Sequence, residues 1–379
     1  MKIKCKRDEI LKAFHTINCI NIQKDIYPVL ENVRITAQNG QLVLKVTNLN
    51  ISITYNLVSQ NLEIIEPGEL LLPALKLYNL VKETTDKDIT IEKEELNGLL
   101  TTQSGNYCIL GEDIHKFPEI PEFNVQDADI EISGENFKKL IKKTLFATTT
   151  EKTRYDLDNV LIEMFDQNDE TKIRFVATDG KRLAICDKTY KKINPVIDRK
   201  FTVPAQALQQ IDRVLNAVTP AKILLNFQEN QLLLRTEEVL LSTRLSEAKF
   251  PPYGRVIPKS LPFKAEFLQK DLSSVLKRVC LLADEKNRIV QLSFEKESIK
   301  VFTRGEGTGE GNDQITAKYD GVPFNIKFNP NFLLDVLKVV DNNTIVYKLQ
   351  DNKTAVLLLD GEDFQYIVLP IKVEEPEEN

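Results

Sequence analysis

Leu70-Leu71-Leu72-Pro73-Ala74-Leu75-Lys76-Leu77 reads as a short apolar strand that ends on a proline and gives way to a helix. Proline suits a helix start, because its missing N–H would have no intrahelical partner there. The phrase returns as Phe201-Thr202-Val203-Pro204-Ala205-Gln206-Ala207-Leu208 and, less closely, as Phe328-Asn329-Pro330-Asn331-Phe332-Leu333, with prolines 131 and 126 positions apart. Other landmarks keep the same order. Leu30-Glu31-Asn32-Val33 answers to Leu157-Asp158-Asn159-Val160, and Phe117-Pro118 to Phe250-Pro251, 127 and 133 residues on. Val46-Thr47-Asn48 answers to Ala177-Thr178-Asp179 and Phe302-Thr303-Arg304. Four matches in one order indicate an internal repeat, and three copies fill the 379 residues.

The expected domains are 1–125, 126–253 and 254–373, followed by an acidic tail, 374–379, expected to be disordered. Each copy reads strand, helix, several strands, strand, helix, several strands. Period-two alternation, as in Lys172-Ile173-Arg174-Phe175-Val176-Ala177, marks the strands. The expected class is α+β: three similar domains, each with two short helices packed on antiparallel sheets. Helices are expected over 8–17, 74–83, 136–146, 205–217, 271–281 and 330–340, with Asp8 and Asp271 as N-terminal caps for two of them.

Composition narrows the function. No apolar run approaches the roughly 18–20 residues of a spanning helix, and Met1-Lys2-Ile3-Lys4-Cys5-Lys6-Arg7 lacks the apolar core of a secretory signal. Five scattered cysteines without a C-x-x-C support neither a zinc site nor a disulfide framework, which suits a reducing cytoplasm. Two histidines, His15 and His115, leave little for a His-based triad or metal site. Gly305-Glu306-Gly307-Thr308-Gly309-Glu310-Gly311 is glycine-rich, but it lacks a Gly-Lys-Ser/Thr ending and carries glutamates that repel phosphate, so it is read as a hairpin loop. Asp179 and Lys181 have no companion nucleophile. The expectation is a non-enzyme with no cofactor, no metal and no catalytic residues.

The net charge of −6 argues at first against a nucleic-acid partner. Its distribution argues otherwise. The six helical segments sum to +5 and the remainder to −11, with four of the acids in the last six residues. The third helix is the most basic: Lys138, Lys139, Lys142 and Lys143 lie opposite the stripe Phe137, Leu140, Ile141 and Leu145. Without tryptophan or an aromatic-rich basic stripe, base stacking is not indicated; sequence-independent phosphate contact is.

The segment Arg174-Phe175-Val176-Ala177-Thr178-Asp179-Gly180-Lys181-Arg182-Leu183-Ala184 resembles a signature of the bacterial DNA polymerase III beta-subunit family, the sliding clamps that give replicative polymerases their processivity. Tyr27-Pro28-Val29-Leu30, Phe250-Pro251-Pro252-Tyr253-Gly254-Arg255-Val256-Ile257-Pro258 and Tyr366-Ile367-Val368-Leu369-Pro370-Ile371-Lys372-Val373 are similar to that family's motifs in the same order. The resemblance implies the clamp fold in each copy. It also implies a head-to-tail homodimer closed into a ring around duplex DNA, and a bacterial cytoplasmic, nucleoid-associated location. Implied partners are double-stranded DNA without sequence specificity, a clamp loader, and polymerase subunits and repair polymerases bearing short hydrophobic peptides.

Carried over residue by residue, the family's peptide groove between the second and third copies would use Leu157, Thr178, Gly180, Lys181, Arg182 and Leu183. Pro251, Arg255 and Val256 would add a wall, and so would Val368, Leu369, Pro370 and Ile371. Arg182 and Arg255 are expected to bond peptide carbonyls. DNA contacts are expected from Lys24, Arg154 and Tyr155 in loops, and from Lys138, Lys139, Lys142, Lys143, Arg213, Lys277 and Lys338 on helices. Leu281 and Leu282 are expected at the dimer interface. The alternative reading is a protein-binding scaffold that does not encircle DNA.

Overall fold

The computed structural model describes residues 1–20, 27–149, 151, 157–195, 200–284 and 288–372. Six α-helices are described: α1 (Arg7–Ile17), α2 (Ala74–Glu83), α3 (Gly134–Thr144), α4 (Ala205–Val218), α5 (Gln269–Val279) and α6 (Pro330–Leu337). Each buries one stripe. In α1 it is Ile10, Ala13, Phe14 and Ile17; in α5 it is Leu272, Val275, Leu276 and Val279. The i, i+3, i+4, i+7 spacing turns the apolar side chains to one face and most polar ones toward water, with Thr16, Lys143 and Gln210 among the buried exceptions. The element order of strand, helix, strands, strand, helix and three strands recurs three times along the chain.

Two expected caps are corrected. Asp8 and Asp271 sit inside the first turns of α1 and α5, whose N-cap residues are Lys6 and Leu268 and make no side-chain capping bond. Each strand runs straight into its helix, so the cap position falls on the last strand residue, and neither a lysine ammonium nor a leucine side chain can accept a helix N–H. The acids still lie near the positive helix end. True caps occur at α3, where Ser133 Oγ accepts from the Asn136 N–H at 3.1 Å, and at α6, where Asn329 accepts from the Asn331 N–H at 3.0 Å.

The chain divides into two compact units. One comprises 1–138, 189–198 and 206–246; the other comprises 139–188, 199–205 and 247–379. This division follows sheets rather than thirds of the chain. In the first unit, Val239–Arg244 pairs antiparallel with Ile51–Leu57, which joins strands from two thirds into one nine-stranded sheet. A five-stranded sheet built on Lys2–Lys6 and Asp88–Glu94 completes this unit, and Asn106–Ile109 is one of its edges.

In the second unit a twelve-stranded sheet is joined by Arg182–Thr189 pairing antiparallel with Phe364–Val368. The register sets Arg182 opposite Val368 and Leu183 opposite Ile367. Beneath the seam, Leu161, Val176, Leu183, Ile185, Ala355, Leu357 and Ile367 form a core against which Phe250, Tyr253 and Ile257 pack. The glycine-rich segment is a hairpin turn between Ser298–Gly305 and Gly309–Tyr319. A Cβ on Gly305 would stand 2.5 Å from the Leu282 carbonyl oxygen, so glycine lets this turn pack on the end of α5. Among the described residues no helix is long and apolar enough to cross a membrane.

Candidate peptide cavity and basic helix faces

The cavity begins with a turn. Thr178 ends one strand and Arg182 begins the next. Asp179 Oδ1 accepts the backbone N–H of Lys181 and of Arg182, both at 2.9 Å. Thr178 Oγ1 accepts the Gly180 N–H at 3.0 Å and donates to the Arg182 carbonyl at 2.6 Å. Gly180 takes φ +85°, a left-handed conformation that favours glycine. The Leu369 N–H donates to the Lys181 carbonyl at 2.9 Å and carries the strand ladder one step past Val368.

The turn forms one wall of an apolar cavity of about 220 Å³, lined by Leu157, Thr178, Gly180, Lys181, Arg182 and Leu183. Pro251, Pro252, Tyr253 and Val256 form a second wall, and Ile367 and Leu369 a third. Nine of the residues expected from the sequence therefore meet there. Val256 and Leu369 are 50% and 42% exposed, so apolar surface faces water at the mouth.

Four expected residues do not line this cavity. Val368 is 2% exposed and lies on the opposite face of its strand from Ile367 and Leu369, because strand side chains alternate. Ile367, two residues before Leu369, shares the cavity face by the same alternation, which is the signal in the sequence that points to it. Pro370 and Ile371 continue past the strand, where the Ile371 N–H donates to the Lys327 carbonyl. Arg255 lines a neighbouring cavity on the other side of the Pro251–Tyr253 segment. Pro252 and Tyr253 were also missed, although they sit beside Pro251 in the quoted motif.

Arg182 has further partners inside the fold. Its side chain is 9% exposed. Nε donates to Asp179 (3.0 Å), Nη1 to Asp335 (2.9 Å) and Nη2 to the Phe146 carbonyl (2.7 Å). The guanidinium lies 4.6 Å from the Phe332 ring centre and 5.4 Å from that of Phe146. These three bonds brace the turn, and the residue also lines the cavity. On the second wall, the Tyr253 hydroxyl donates to Glu163. Burial first, and that carboxylate second, push the Tyr253 phenol up to about 12, so it stays a neutral donor.

The basic helix faces divide sharply. Lys142, Arg213, Lys277 and Lys338 are exposed, and Lys138 and Lys139 are half-buried. Lys143 is 3% exposed and is withdrawn as a DNA contact. Its Nζ lies 2.7 Å from Asp360 and 2.9 Å from Asp341. Burial disfavours the ammonium, but the two carboxylates outweigh it and raise the lysine pKa. Burial likewise opposes the Asp360 carboxylate, yet Lys143 and the backbone N–H groups of Asp341 and Asn342 hold its pKa below the ordinary value. Lys24, Arg154, Tyr155 and the acidic tail lie outside the described residues. Leu281 is 81% exposed at the end of α5, and Leu282 is half-buried beside Gly311.

Three family models match in order along the chain. They are the DNA polymerase III beta subunit N-terminal domain over 1–124, its central domain over 131–252 and its C-terminal domain over 254–372. The beta sliding clamps of Synechococcus elongatus and Caulobacter vibrioides are 27% and 28% identical, each over 98% of this chain and all of the relative. Among solved structures, the DNA polymerase III subunit beta from Pseudomonas aeruginosa aligns with TM-score 0.88 at 25% identity, over 98% of this chain and all of that one. The griselimycin-bound sliding clamp from Bartonella birtlesii aligns with TM-score 0.89 at 26% identity and the same coverage. With matches across all three parts of the chain, this protein belongs to the DNA polymerase III beta-subunit family, the beta sliding clamps.

Proposed function

We propose that two copies of this chain close head to tail around duplex DNA, and that the apolar cavity captures short hydrophobic peptides of polymerases, repair polymerases and a clamp loader. The clamp function, as a non-catalytic processivity subunit, comes with the family. The cavity carries the partner reading: it is apolar, open to water, and held by a turn whose N–H groups at Gly180, Lys181 and Arg182 are bonded to Thr178 and Asp179. Such a site suits a leucine or phenylalanine side chain on an extended segment. The residues assigned to it are the twelve that line it.

The three domains are proposed at 1–125, 126–253 and 254–373, and the location as the bacterial cytoplasm at the nucleoid. Two unpaired strand edges support the dimer. Asn106–Ile109 is the outermost strand of its sheet. In Gly309–Tyr319, the residues before Ala317 pair on one side only among the described residues. Such edges are ready to extend a sheet across an interface, and the exposed Leu281 supplies apolar surface. The exposed Lys142, Arg213, Lys277 and Lys338, with Lys138 and Lys139, are assigned to phosphate contact. Because a closed ring cannot leave sideways, weak contacts suffice and still permit sliding.

Loading onto circular and linear duplex DNA tests the ring. Retention on the circle and loss from the linear form are expected, with a solution mass near twice the 43.3 kDa of one chain. A monomer at micromolar concentration that shows no topological retention rejects it.

A further inference from the structure

Beyond the apolar cavity lies a second one of about 670 Å³, and the two share Pro251, Pro252 and Tyr253 as a common ridge. The ridge is rigid by construction. Two prolines fix its backbone, Tyr253 packs edge-on against Phe250 with ring centres 6.4 Å apart, and its hydroxyl is tied to Glu163. The second cavity differs in charge. Lys200, Lys249 and Arg255 line it against one carboxylate, Glu163. That carboxylate is already used: Oε1 lies 2.8 Å from Lys200 Nζ, and Oε2 accepts the Tyr253 hydroxyl. Lys249 and Arg255 are exposed, and among the described residues neither has an ion pair.

We infer that this second cavity selects partner segments carrying acidic side chains next to the apolar residues that fill the first. The inference rests on the peptide reading of the apolar cavity and adds a chemical requirement to it. Continuity across the three-residue ridge brings a segment leaving the apolar cavity over the second one. There, two unpaired cations and the exposed Lys200 face it with a net positive charge. Carboxylates are favoured there and lysines are disfavoured, so the site contributes specificity through charge rather than through added apolar area.

The test uses the full chain and two synthetic peptides that share a Leu-Phe anchor and differ only in flanking residues, three glutamates against three glutamines. Binding is read by fluorescence anisotropy. At low salt the glutamate peptide is expected to bind about fivefold more tightly, a preference that fades as salt rises. Lys249→Gln with Arg255→Gln is expected to erase the preference and leave the glutamine peptide unaffected. Leu369→Asp is expected to weaken both peptides. Equal affinities in the unmodified chain, or a preference that survives the double substitution, overturn the inference while leaving the apolar cavity standing. Indifference of both peptides to Leu369→Asp overturns the peptide reading itself. Loss of duplex DNA binding by the double variant with intact peptide selectivity assigns the cations to phosphate and also overturns the inference.

Discussion

The buried cations and the exposed cations of this chain sit in opposite surroundings. Lys143 and Arg182 are withdrawn from water, and each is surrounded by acceptors: Asp341 and Asp360 for the lysine, Asp179, Asp335 and the Phe146 carbonyl for the arginine. Lys142, one residue before Lys143, stands in solvent. A buried charge must be paired to exist at all, so it fixes structure; an exposed one keeps its field free for a partner. Breaking a buried pair should therefore cost most. Lys143→Ala leaves Asp360 buried without its cation, and a loss of about 3–5 kcal/mol is expected in urea unfolding. The pH dependence follows from the two shifts. The lowered Asp360 value contributes stability above the ordinary carboxylate range, lost as pH falls through the folded value. The raised Lys143 value contributes stability below the ordinary lysine range, lost as pH rises through its folded value. The difference between native chain and variant should be flat through neutral pH and shrink in acid. A difference that vanishes at neutral pH instead would show that the pair is not a stabilising contact.

The cavity mouth stands between these extremes, because its apolar side chains are half in water. Leu369→Ala is expected to weaken a Leu-Phe peptide by about 2 kcal/mol, roughly thirtyfold, with little change in unfolding, since Leu369 is 42% exposed. An equal loss of stability would make Leu369 a core residue. Gly180 probes the turn beneath it. The nearest atom to an added Cβ is Leu157 Cδ1 at 3.9 Å, so space is not the obstacle. The left-handed φ of +85° is. Gly180→Ala is expected to cost about 1–2 kcal/mol of stability; no cost would mean the turn relaxes freely.

Local patterns were readable in the sequence, while long-range pairings were not. The helices fall within three residues of their expected ends, because apolar spacing and the Pro73, Pro204 and Pro330 signals are carried by neighbouring residues. The turn at Asp179-Gly180 is equally local. The fate of Lys143 depends on Asp341 and Asp360, about two hundred positions away along the chain, and nothing beside Lys143 announces them. Arg182 is decided by Asp335 and Phe332 on α6 in the same way. Val368 is a different kind of case. Period-two alternation was available, but a strand's phase is set by what each face packs against, and here Ile367 and Leu369 face the cavity while Val368 enters the opposite layer.

The smallest effects should come from the exposed cations, and their order sharpens the contrast most finely. Lys142 and Lys277 have no ion pair among the described residues, whereas Lys338 Nζ lies 3.0 Å from Asp335. A phosphate must compete with that carboxylate for Lys338, but not for the other two. Binding to a short linear duplex, followed across salt concentrations, should lose about 0.9 from its log–log slope for each phosphate contact removed. Lys142→Gln and Lys277→Gln should each approach that value, about threefold in affinity between 50 and 200 mM salt, with unfolding unchanged. Lys338→Gln should fall short of it, because part of its charge is already spent on Asp335. If Lys338→Gln matches the other two, DNA displaces the carboxylate completely. If Lys142→Gln leaves the slope untouched, exposure alone does not mark the DNA face, and the division between structural and functional cations fails where it is simplest.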